Sequence, residues 1–477
     1  MGRSRLDMLS RDDMQTLDDA SVRILQESGA IVRSEAARTM LRKAGTKVVE
    51  SEMRVYFGES IVRDAVKTAA REIVLGARDR RHDLKIPNRE FPFISTDGFA
   101  VQIRDSDTGE KRPSLRSDLE KWVTIVDAVD SVDFLWPSIG ATELPPHTQL
   151  IGGLRTCYER TTKHVQYQAF SGPEASLEIE MARAVAGGDE ENRRRPHFSS
   201  IQCIVAPLQF DEGSTDAVME FARAGVPVVA MTMVSPGITG PTTLAGSIAL
   251  SNAEVLASVV ISQLASRGAP IFYCTVCAPL DMKSGNFATG SPEYGLLSVA
   301  GAEMARFYDL PSMMGGMGTS AKAPGAQVGY EKAITSLPVA LSGCDLFTGC
   351  GGLGDASFMS MEQLLIDSQV WDDIHRAAKG IEVSDKEIAM DVILKAGPKG
   401  QYLALPHTFA NFRRLHAPRY SDRASYMAWE TAGKKDLTET VSQEVERILA
   451  THKAEPLPGE IATRLEEIES RAAKLLG

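Results

Sequence analysis

From about residue 91 the chain alternates short apolar runs with amphipathic segments. The runs are rich in Val, Ile and Phe and predict strands, whereas apolar residues between them recur at helical spacing. Eight strands are predicted, at 91–103 (interrupted at Asp97-Gly98), 132–139, 164–170, 198–205, 226–233, 269–274, 310–315 and 344–349. Helices are predicted to begin near Ser117, His147, Gly172, Glu212, Leu244, Pro292, Pro324 and Ser360. Eight such units predict an α/β fold, the TIM (β/α)8 barrel, although residues 91–105 could equally form a hairpin beside it.

The two ends of the chain show a different pattern. Residues 1–90 predict a helical N-terminal extension, with helices at 18–29, 33–44 and 59–70 and with Gly29 and Gly45 as stops. Residues 381–477 predict a C-terminal helical segment with helices at 436–451 and 461–476. The barrel then occupies 91–380, and we expect the C-terminal segment to pack on it or on a neighbouring subunit.

Composition narrows the class of protein. The 477 residues are 43% hydrophobic and 24% charged, as in ordinary folded proteins. The net charge of −11 argues against a nucleic-acid or anionic-membrane surface and does not repel a cationic ligand. No run of about 18 uncharged apolar residues occurs, and the first residues lack the apolar stretch of a secretory signal. We therefore expect a cytoplasmic protein without membrane contact.

The six cysteines do not predict a disulfide framework. Cys274 and Cys277 form a C-x-x-C motif, but they lie in a β-branched and aromatic run that predicts a buried strand. A three-residue offset on a strand directs two side chains to opposite faces, and no further ligand motif accompanies the pair. The expectation is buried free thiols and no tightly bound metal.

Functional residues of a TIM barrel lie at the C-terminal ends of its strands. At those positions Asp97 and Asp355 are the candidate catalytic carboxylates. The sequence places no histidine, Ser/His/Asp set or Schiff-base lysine there, and most of its eight histidines are expected to be structural. An acid–base mechanism therefore has few candidate groups.

Two glycine-rich turns follow the last two predicted strands, at 315–320 and 349–354. Backbone N–H groups in such turns can bind phosphate, which supports one hypothesis, a phosphate-binding lyase or isomerase that uses Asp97 and Asp355. Alternatively, small residues let another body approach the barrel closely. The sequence leaves both possibilities open.

Aromatic residues gather near the predicted strand ends and would suit a quaternary ammonium, which aromatic faces and diffuse negative charge can hold. They are Trp136, Tyr167, Phe170, Phe210, Tyr273, Tyr330 and Phe347. Five of these rings (136, 167, 170, 273 and 347), together with Gly316 and Thr348, form the predicted substrate-binding set.

Several motifs resemble the trimethylamine methyltransferase family, and together they cover essentially the whole chain. They are Ser21-Val-Arg-Ile-Leu-Gln-Glu-Ser-Gly-Ala, Leu41-Arg-Lys-Ala-Gly, Gly237-Ile-Thr-Gly-Pro-Thr-Thr-Leu-Ala-Gly, Asn252-Ala-Glu-Val-Leu-Ala, Gly329-Tyr-Glu-Lys-Ala-Ile-Thr, Pro338-Val-Ala-Leu-Ser-Gly-Cys-Asp, Met361-Glu-Gln-Leu-Leu-Ile-Asp and Ala428-Trp-Glu-Thr-Ala-Gly-Lys-Lys-Asp-Leu.

This resemblance implies a TIM barrel that transfers a methyl group from a methylated amine to the Co(I) corrinoid (cobalamin) of a separate corrinoid-binding protein. Only ordinary residues occur, so the chain resembles the branch without pyrrolysine, whose substrates include quaternary amines such as glycine betaine. The two turns would let the corrinoid approach, through Gly315, Gly318, Ser320, Gly349, Gly351, Gly352 and Gly354. We also expect a homo-oligomer. A barrel that binds a methylamine without turning it over remains an alternative.

Overall fold

The structure is a computed structural model that describes residues 5–88 and 90–477. Residues 1–4, on which the signal-peptide prediction partly rests, and Arg89 lie outside the described residues.

The N-terminal extension contains the three predicted helices and short strands. Its elements are α1 (Arg11–Glu27), β1 (Ala30–Val32), α2 (Glu35–Lys43), β2 (Lys47–Val49), β3 (Arg54–Tyr56), α3 (Glu59–Thr68), β4 (Ile73–Leu75) and β5 (Leu84–Ile86). The Ser10 side chain caps α1 in a capping box with Asp13, which satisfies backbone donors at the helix start. Buried apolar residues of α1 such as Leu25 join one core cluster with the barrel helices, so the extension packs directly on the barrel.

Eight parallel strands form the predicted closed barrel. They are β6 (Phe93–Thr96), β9 (Phe134–Leu135), β10 (His164–Tyr167), β11 (Phe198–Cys203), β13 (Val228–Thr232), β14 (Ile271–Thr275), β15 (Ser312–Gly315) and β16 (Leu346–Cys350). They follow one another around the barrel in chain order, and β16 closes it by pairing with β6, Phe347 opposite Ile94.

The first strand is shorter than predicted and ends at Thr96. Residues 102–104 and 111–113 instead form a hairpin, β7 (Gln102–Arg104) and β8 (Lys111–Pro113). This hairpin joins β17 (Gly352–Leu353) and β18 (Phe358–Met359) in a small sheet beyond the C-terminal end of the barrel. The strand ends just before Asp97-Gly98, where the sequence predicted an interruption. The sequence offered a strand or a hairpin for this region, and the structure has both, a short first barrel strand followed by a hairpin.

Helices surround the barrel as the apolar spacing predicts. They are α4 (Arg116–Ala128), α5 (Pro146–Arg160), α6 (Gly172–Ala186), α7 (Asp189–Arg194), α8 (Glu212–Ala224), α9 (Leu244–Ala265), α10 (Pro292–Phe307), α11 (Ala326–Leu341) and α12 (Met361–Ala378). The short strand β12 (Gln209–Phe210) pairs with β1 and links the extension to the barrel. Among the described helices, α9 is long and apolar enough to cross a membrane by length and composition, and most of it is buried inside the fold.

The hairpin β4–β5 closes the N-terminal end of the barrel. Leu75 and Ile86 belong to the cluster that fills the barrel interior together with Phe134 and Phe272. The opposite, C-terminal end, called the mouth below, is left to the loops that follow the strands.

The C-terminal segment consists of α13 (Asp385–Ile388), α14 (Met390–Ala396), α15 (Pro406–Asn411), α16 (Tyr426–Thr431), α17 (Leu437–Thr451) and α18 (Gly459–Leu475). Helix α18 packs on the barrel, where Leu465 and Ile468 are buried and Glu469 pairs with Arg155 at 2.8 Å. Helix α17 buries Val441 and Ile448. The predicted helices at the end of the chain therefore pack on the barrel of their own subunit.

Candidate functional site at the barrel mouth

Alternation along the strands decides which predicted site residues face the barrel interior. Trp136 packs in the interior cluster with Phe134, Met231 and Cys274. It lies near the mouth, since an added Cβ on Gly98 would meet its ring at 3.5 Å. No described residue accepts a hydrogen bond from its buried indole Nε1–H. Trp136 is thus a ring with a free donor inside the barrel.

Three other predicted rings face the surrounding helices and not the barrel interior. Phe347 stacks on Trp371 of α12 with ring centroids 4.7 Å apart. The Tyr273 hydroxyl donates to Asn252 of α9 at 2.9 Å, and Tyr167 packs against Gly153 of α5. Side chains of a strand alternate between faces, so each ring next to an interior residue necessarily points outward.

The remaining predicted contacts are dispersed. Phe170 is exposed after β10, and Tyr330 is exposed on α11. Phe210 lies in β12, which pairs with the extension. Thr348 is buried, and its hydroxyl donates to the Thr96 carbonyl at 2.6 Å, joining the last strand to the first. Gly316 is also buried, because Phe347 fills the space beside it.

Asp97 lies directly after β6, between Gly98 and the last glycine-rich turn. Its Oδ1 accepts a hydrogen bond from Gly98 N at 2.8 Å, and a Cβ added to Gly352 would overlap its other oxygen. Burial raises the pKa of Asp97, while the positive charge of Lys332 opposes that rise. A cation bound beside Asp97 would favour its ionised form.

Asp355 lies in the loop after β16 and belongs to a large cleft. Its Oδ1 accepts hydrogen bonds from Thr289 N at 2.8 Å and from Ser320 Oγ at 2.8 Å. These contacts connect the loops that follow β14, β15 and β16. Asp355 therefore holds three mouth loops together while its side chain also lines the cleft.

The cleft has a volume of about 830 Å³ and is lined by loops after β13, β14, β15 and β16. Its charged residues are Asp281, Glu293, Glu331, Asp355 and Lys322, four carboxylates against one cation. Leu280, Met282 and Phe287 add apolar surface. This size is usual for small-molecule sites, and the excess of carboxylates favours a cationic ligand.

Exposed apolar residues lie along one side of the mouth, and the sequence analysis found only Phe170 among them. They follow four consecutive strands and are Phe170, Val205, Met233, Ile238 and Met282, the last 78% exposed. Contiguous exposed apolar surface marks interaction sites. In the sequence these residues appear as single apolar residues within polar loops. Such residues cannot be distinguished from core residues until the fold shows that they are exposed.

The two glycine-rich turns pack on each other and are not open to another body. The six glycines predicted as approach residues (315, 318, 349, 351, 352 and 354) are buried, and Ser320 is half-buried. Gly354 N donates to Ala321 O at 2.7 Å, and Asp355 N donates to Thr319 O at 2.8 Å. A Cβ on Gly349 would overlap the backbone of Gly316. The absence of side chains serves this close packing, and the buried glycines offer little surface for direct contact with a corrinoid.

Buried polar side chains of α11 and α12 hold both turns in place. Glu331 accepts from Ser320 N at 2.9 Å. Lys332 and Asp367 form an ion pair of 2.6 Å with both side chains 0% exposed. Asp367 also accepts from Gly351 N at 2.7 Å and from Gln363 Nε2 at 2.7 Å. Two of the motifs that carried the family resemblance contain Glu331, Lys332, Gln363 and Asp367. In this structure these four side chains hold the mouth loops in place.

The phosphate-binding hypothesis requires free backbone donors in these turns. Gly351 N and Gly354 N donate to protein acceptors, as described above, and Gly316 N donates to Thr348 O at 3.0 Å. Met317 N donates to Ser336 Oγ at 3.2 Å. Donors already used in the protein cannot bind an anion without breaking these contacts, which argues against the lyase or isomerase.

No cysteine and no described histidine side chain is among the residues that line the cleft. Cys274 is buried in β14, but Cys277 lies beyond the end of that strand, where its thiol contacts Thr232 O at 3.8 Å. The predicted opposite faces on one strand therefore do not apply. Among the described residues, no group of three or more His, Cys, Asp or Glu side chains could hold a metal ion. His164 is buried between Gly76 O and Ser199 Oγ, and burial lowers its pKa to about 3.

Known proteins share both the sequence and the fold. The sequence model of the family described as trimethylamine methyltransferase (MTTB) matches residues 2–475. Trimethylamine methyltransferase MttB of Desulfitobacterium hafniense is 32% identical over 459 residues, 96% of this chain and 92% of that protein. Glycine betaine methyltransferase of the same species is 29% identical and covers 99% of this chain and 98% of its own. Monomethylamine methyltransferase MtmB of Methanosarcina barkeri has a related fold, with TM-score 0.54, 13% identity and 99% and 89% of the two chains covered. This chain belongs to the trimethylamine methyltransferase family, the methylamine and betaine methyltransferases.

Proposed function

We propose that this protein transfers a methyl group from a quaternary or other methylated amine, such as a betaine, to the Co(I) corrinoid of a separate protein. The observation that carries this proposal is the cleft at the mouth, with four carboxylates against one lysine and with apolar side chains between them. Methylated ammonium groups cannot donate several hydrogen bonds and are bound by diffuse negative charge and apolar surface.

The protein's own residues would bind and orient the donor. Outside the cleft lining, Asp97 provides negative charge at the end of β6, and the ring of Trp136 lies close to the neighbouring Gly98. The free Nε1–H of Trp136 suits an acceptor on the substrate, such as a betaine carboxylate. Holding the methyl group in line with its acceptor and excluding water would account for most of the rate enhancement.

The reaction needs no proton at the leaving group when the donor is quaternary. The C–N bond breaks with its electron pair on nitrogen, so the amine leaves neutral, and a Co(I) corrinoid supplies the nucleophile that accepts the methyl group. This agrees with a cleft lined by carboxylates and one lysine. The buried, hydrogen-bonded His164 is not placed for proton transfer.

The exposed apolar residues at the mouth fit the partner that this reaction requires. A corrinoid has a flat macrocycle with a rim of amide groups, and its carrier must bring one face of the macrocycle over the mouth. Phe170, Val205, Met233, Ile238 and Met282 provide apolar surface there. The docking of a corrinoid protein is therefore supported by these exposed residues and not by the glycine-rich turns, because the glycines of the turns are buried.

The test is methyl transfer to reduced cobalamin, followed by the change in visible absorbance when Co(I) is methylated. We expect transfer from at least one of trimethylamine, glycine betaine or another quaternary amine, and none from glycine. Asp355→Asn should reduce the rate about 10²-fold or more, since it removes a charge and loosens three loops. The control Glu460→Gln changes an exposed carboxylate of α18 and should have no effect.

Two outcomes would contradict this function. Binding of a methylated amine without transfer, to free cobalamin or to corrinoid proteins, would indicate the binding barrel. Binding of a phosphate ester and of no amine at millimolar concentration would reinstate the lyase or isomerase.

A further inference from the structure

Residues 381–436, called the arm here, are mostly exposed, and nearly all the others are only half-buried. Only Ala389 is buried among these 56 residues. The four short helices in the arm, α13 to α16, contain no buried residue apart from the Ala389 cap between two of them. Both ends of the arm join packed helices, α12 before it and α17 after it, so it projects from a well-anchored base.

The arm is rich in apolar side chains that the rest of the chain does not cover. Thirteen large ones are exposed: Ile381, Val383, Ile388, Met390, Ile393, Leu394, Tyr402, Leu403, Phe409, Phe412, Leu415, Tyr426 and Met427. Their exposed fractions run from 42% to 90%, so at about 150–250 Å² for a fully exposed large side chain they leave roughly 1,500 Å² uncovered. The largest apolar patch on a monomer is about 300–600 Å², and one partner of a standard interface buries about 800 Å².

The base of the arm lies at the end of the barrel opposite the mouth. Helix α12 runs back from the mouth, and its last turns contact the region where β6 and β9 begin, as shown by Ser131 Oγ donating to Asp372 at 2.8 Å. The arm returns to these turns through His416, 2.5 Å from Asp373, and through Arg419 N, 2.5 Å from Gln369. If the proposed function is right, a corrinoid protein docks at the mouth, so the arm needs another partner.

Charge favours a second copy of the same chain. The arm contains nine Lys and Arg against seven Asp and Glu, a net charge of +2. The remaining residues contain 43 basic and 56 acidic side chains, a net charge of −13. Opposite charge on two surfaces steers their association. The arm is therefore attracted to the body of another copy, whereas two bodies repel each other.

A groove next to the arm offers a receptor surface. It has a volume of about 820 Å³ and lies between the end of α4, at Ala128 and Val129, and α17, at Glu444 and Ile448. Arg419 and Tyr420 of the arm form part of its wall. An arm and a groove side by side on each copy allow two copies to make the same contact reciprocally, as a two-fold dimer requires.

We propose that the arm is a self-association element, in which residues 381–436 of one copy pack on the groove and body of a second copy. The experiment is sedimentation velocity on the full-length protein at micromolar concentration, without amine or corrinoid protein. The wild type should be a dimer or a larger even-numbered oligomer. Leu403→Asp and, separately, Phe409→Asp should raise the dissociation constant at least about 100-fold, because a charge would enter an apolar interface.

The control is Leu475→Asp, the same substitution at an exposed leucine outside the arm, which should leave the oligomer intact. Circular dichroism should show unchanged folding in all three variants, since Leu403, Phe409 and Leu475 are exposed. A monomeric wild type would overturn the proposal. So would an oligomer that resists both arm variants but dissociates with Ile334→Asp, which would place the interface on α11. None of these outcomes depends on methyl transfer, so failure here is distinct from failure of the proposed function.

Discussion

The buried pair Lys332–Asp367 gives the sharpest test of how the mouth is held. Both side chains are 0% exposed and 2.6 Å apart. Lys332→Met would leave the Asp367 carboxylate buried with only Gly351 N and Gln363 Nε2 as donors. Removing one partner of a buried pair typically costs about 3–5 kcal/mol, and we expect that loss in the free energy of unfolding.

The loss should depend on pH in a defined direction. Burial raises the pKa of Asp367, and the positive charge of Lys332 opposes this rise. Without Lys332 the folded-state pKa lies still further above the unfolded value. A group of this kind contributes stability at low pH that is lost as pH rises through the folded pKa. Lys332→Met should therefore be more destabilising at pH 8 than at pH 5.

Guanidinium denaturation followed by circular dichroism at both pH values measures these effects. The double variant Lys332→Met/Asp367→Leu should lose clearly less stability than the sum of the single variants, since no charge remains buried. The control Arg23→Met breaks an exposed ion pair with Glu27 and should cost about 1 kcal/mol or less. A cost below about 1 kcal/mol for Lys332→Met, or additive single effects, would refute this account of the mouth.

Three further outcomes follow from the site. The affinity for a quaternary amine, measured by calorimetry, should rise as pH rises through the elevated pKa of Asp97, because the cation favours the carboxylate; an unchanged pH dependence in Asp97→Asn would contradict this. Phe347→Ala should lower the free energy of unfolding by about 3–5 kcal/mol and leave amine affinity nearly unchanged, because the ring packs on Trp371; a selective loss of affinity would restore it to the substrate site. Burial raises the pKa of Glu254 from 4.5 to about 7, so its contribution to stability is lost as pH rises across that interval. Glu254→Gln should then be more stable than wild type at pH 8 by at most about 3 kcal/mol, as thermal unfolding would show; equal stability at pH 8 would count against it.

The linear sequence was sufficient for the barrel because strand and helix periods are local properties. Val228–Thr232 lies inside the predicted run 226–233, and Ile271–Thr275 ends one residue beyond the predicted run 269–274. Helices α9 and α10 begin at the predicted Leu244 and Pro292. The family motifs were visible for the same reason. The sequence alone therefore determined the fold class and the family.

Only the tertiary structure decided which side chains share a space. A shift of one residue along a strand moves a ring from the barrel interior to the helix layer, so Trp136 faces inward while Tyr273 and Phe347 do not. The pairing of Lys332 with Asp367 joins residues 35 positions apart in the sequence. The arm contains apolar residues of the kind found in protein cores, yet they are exposed. Burial depends on which residues pack against a side chain, and the local sequence does not specify these partners.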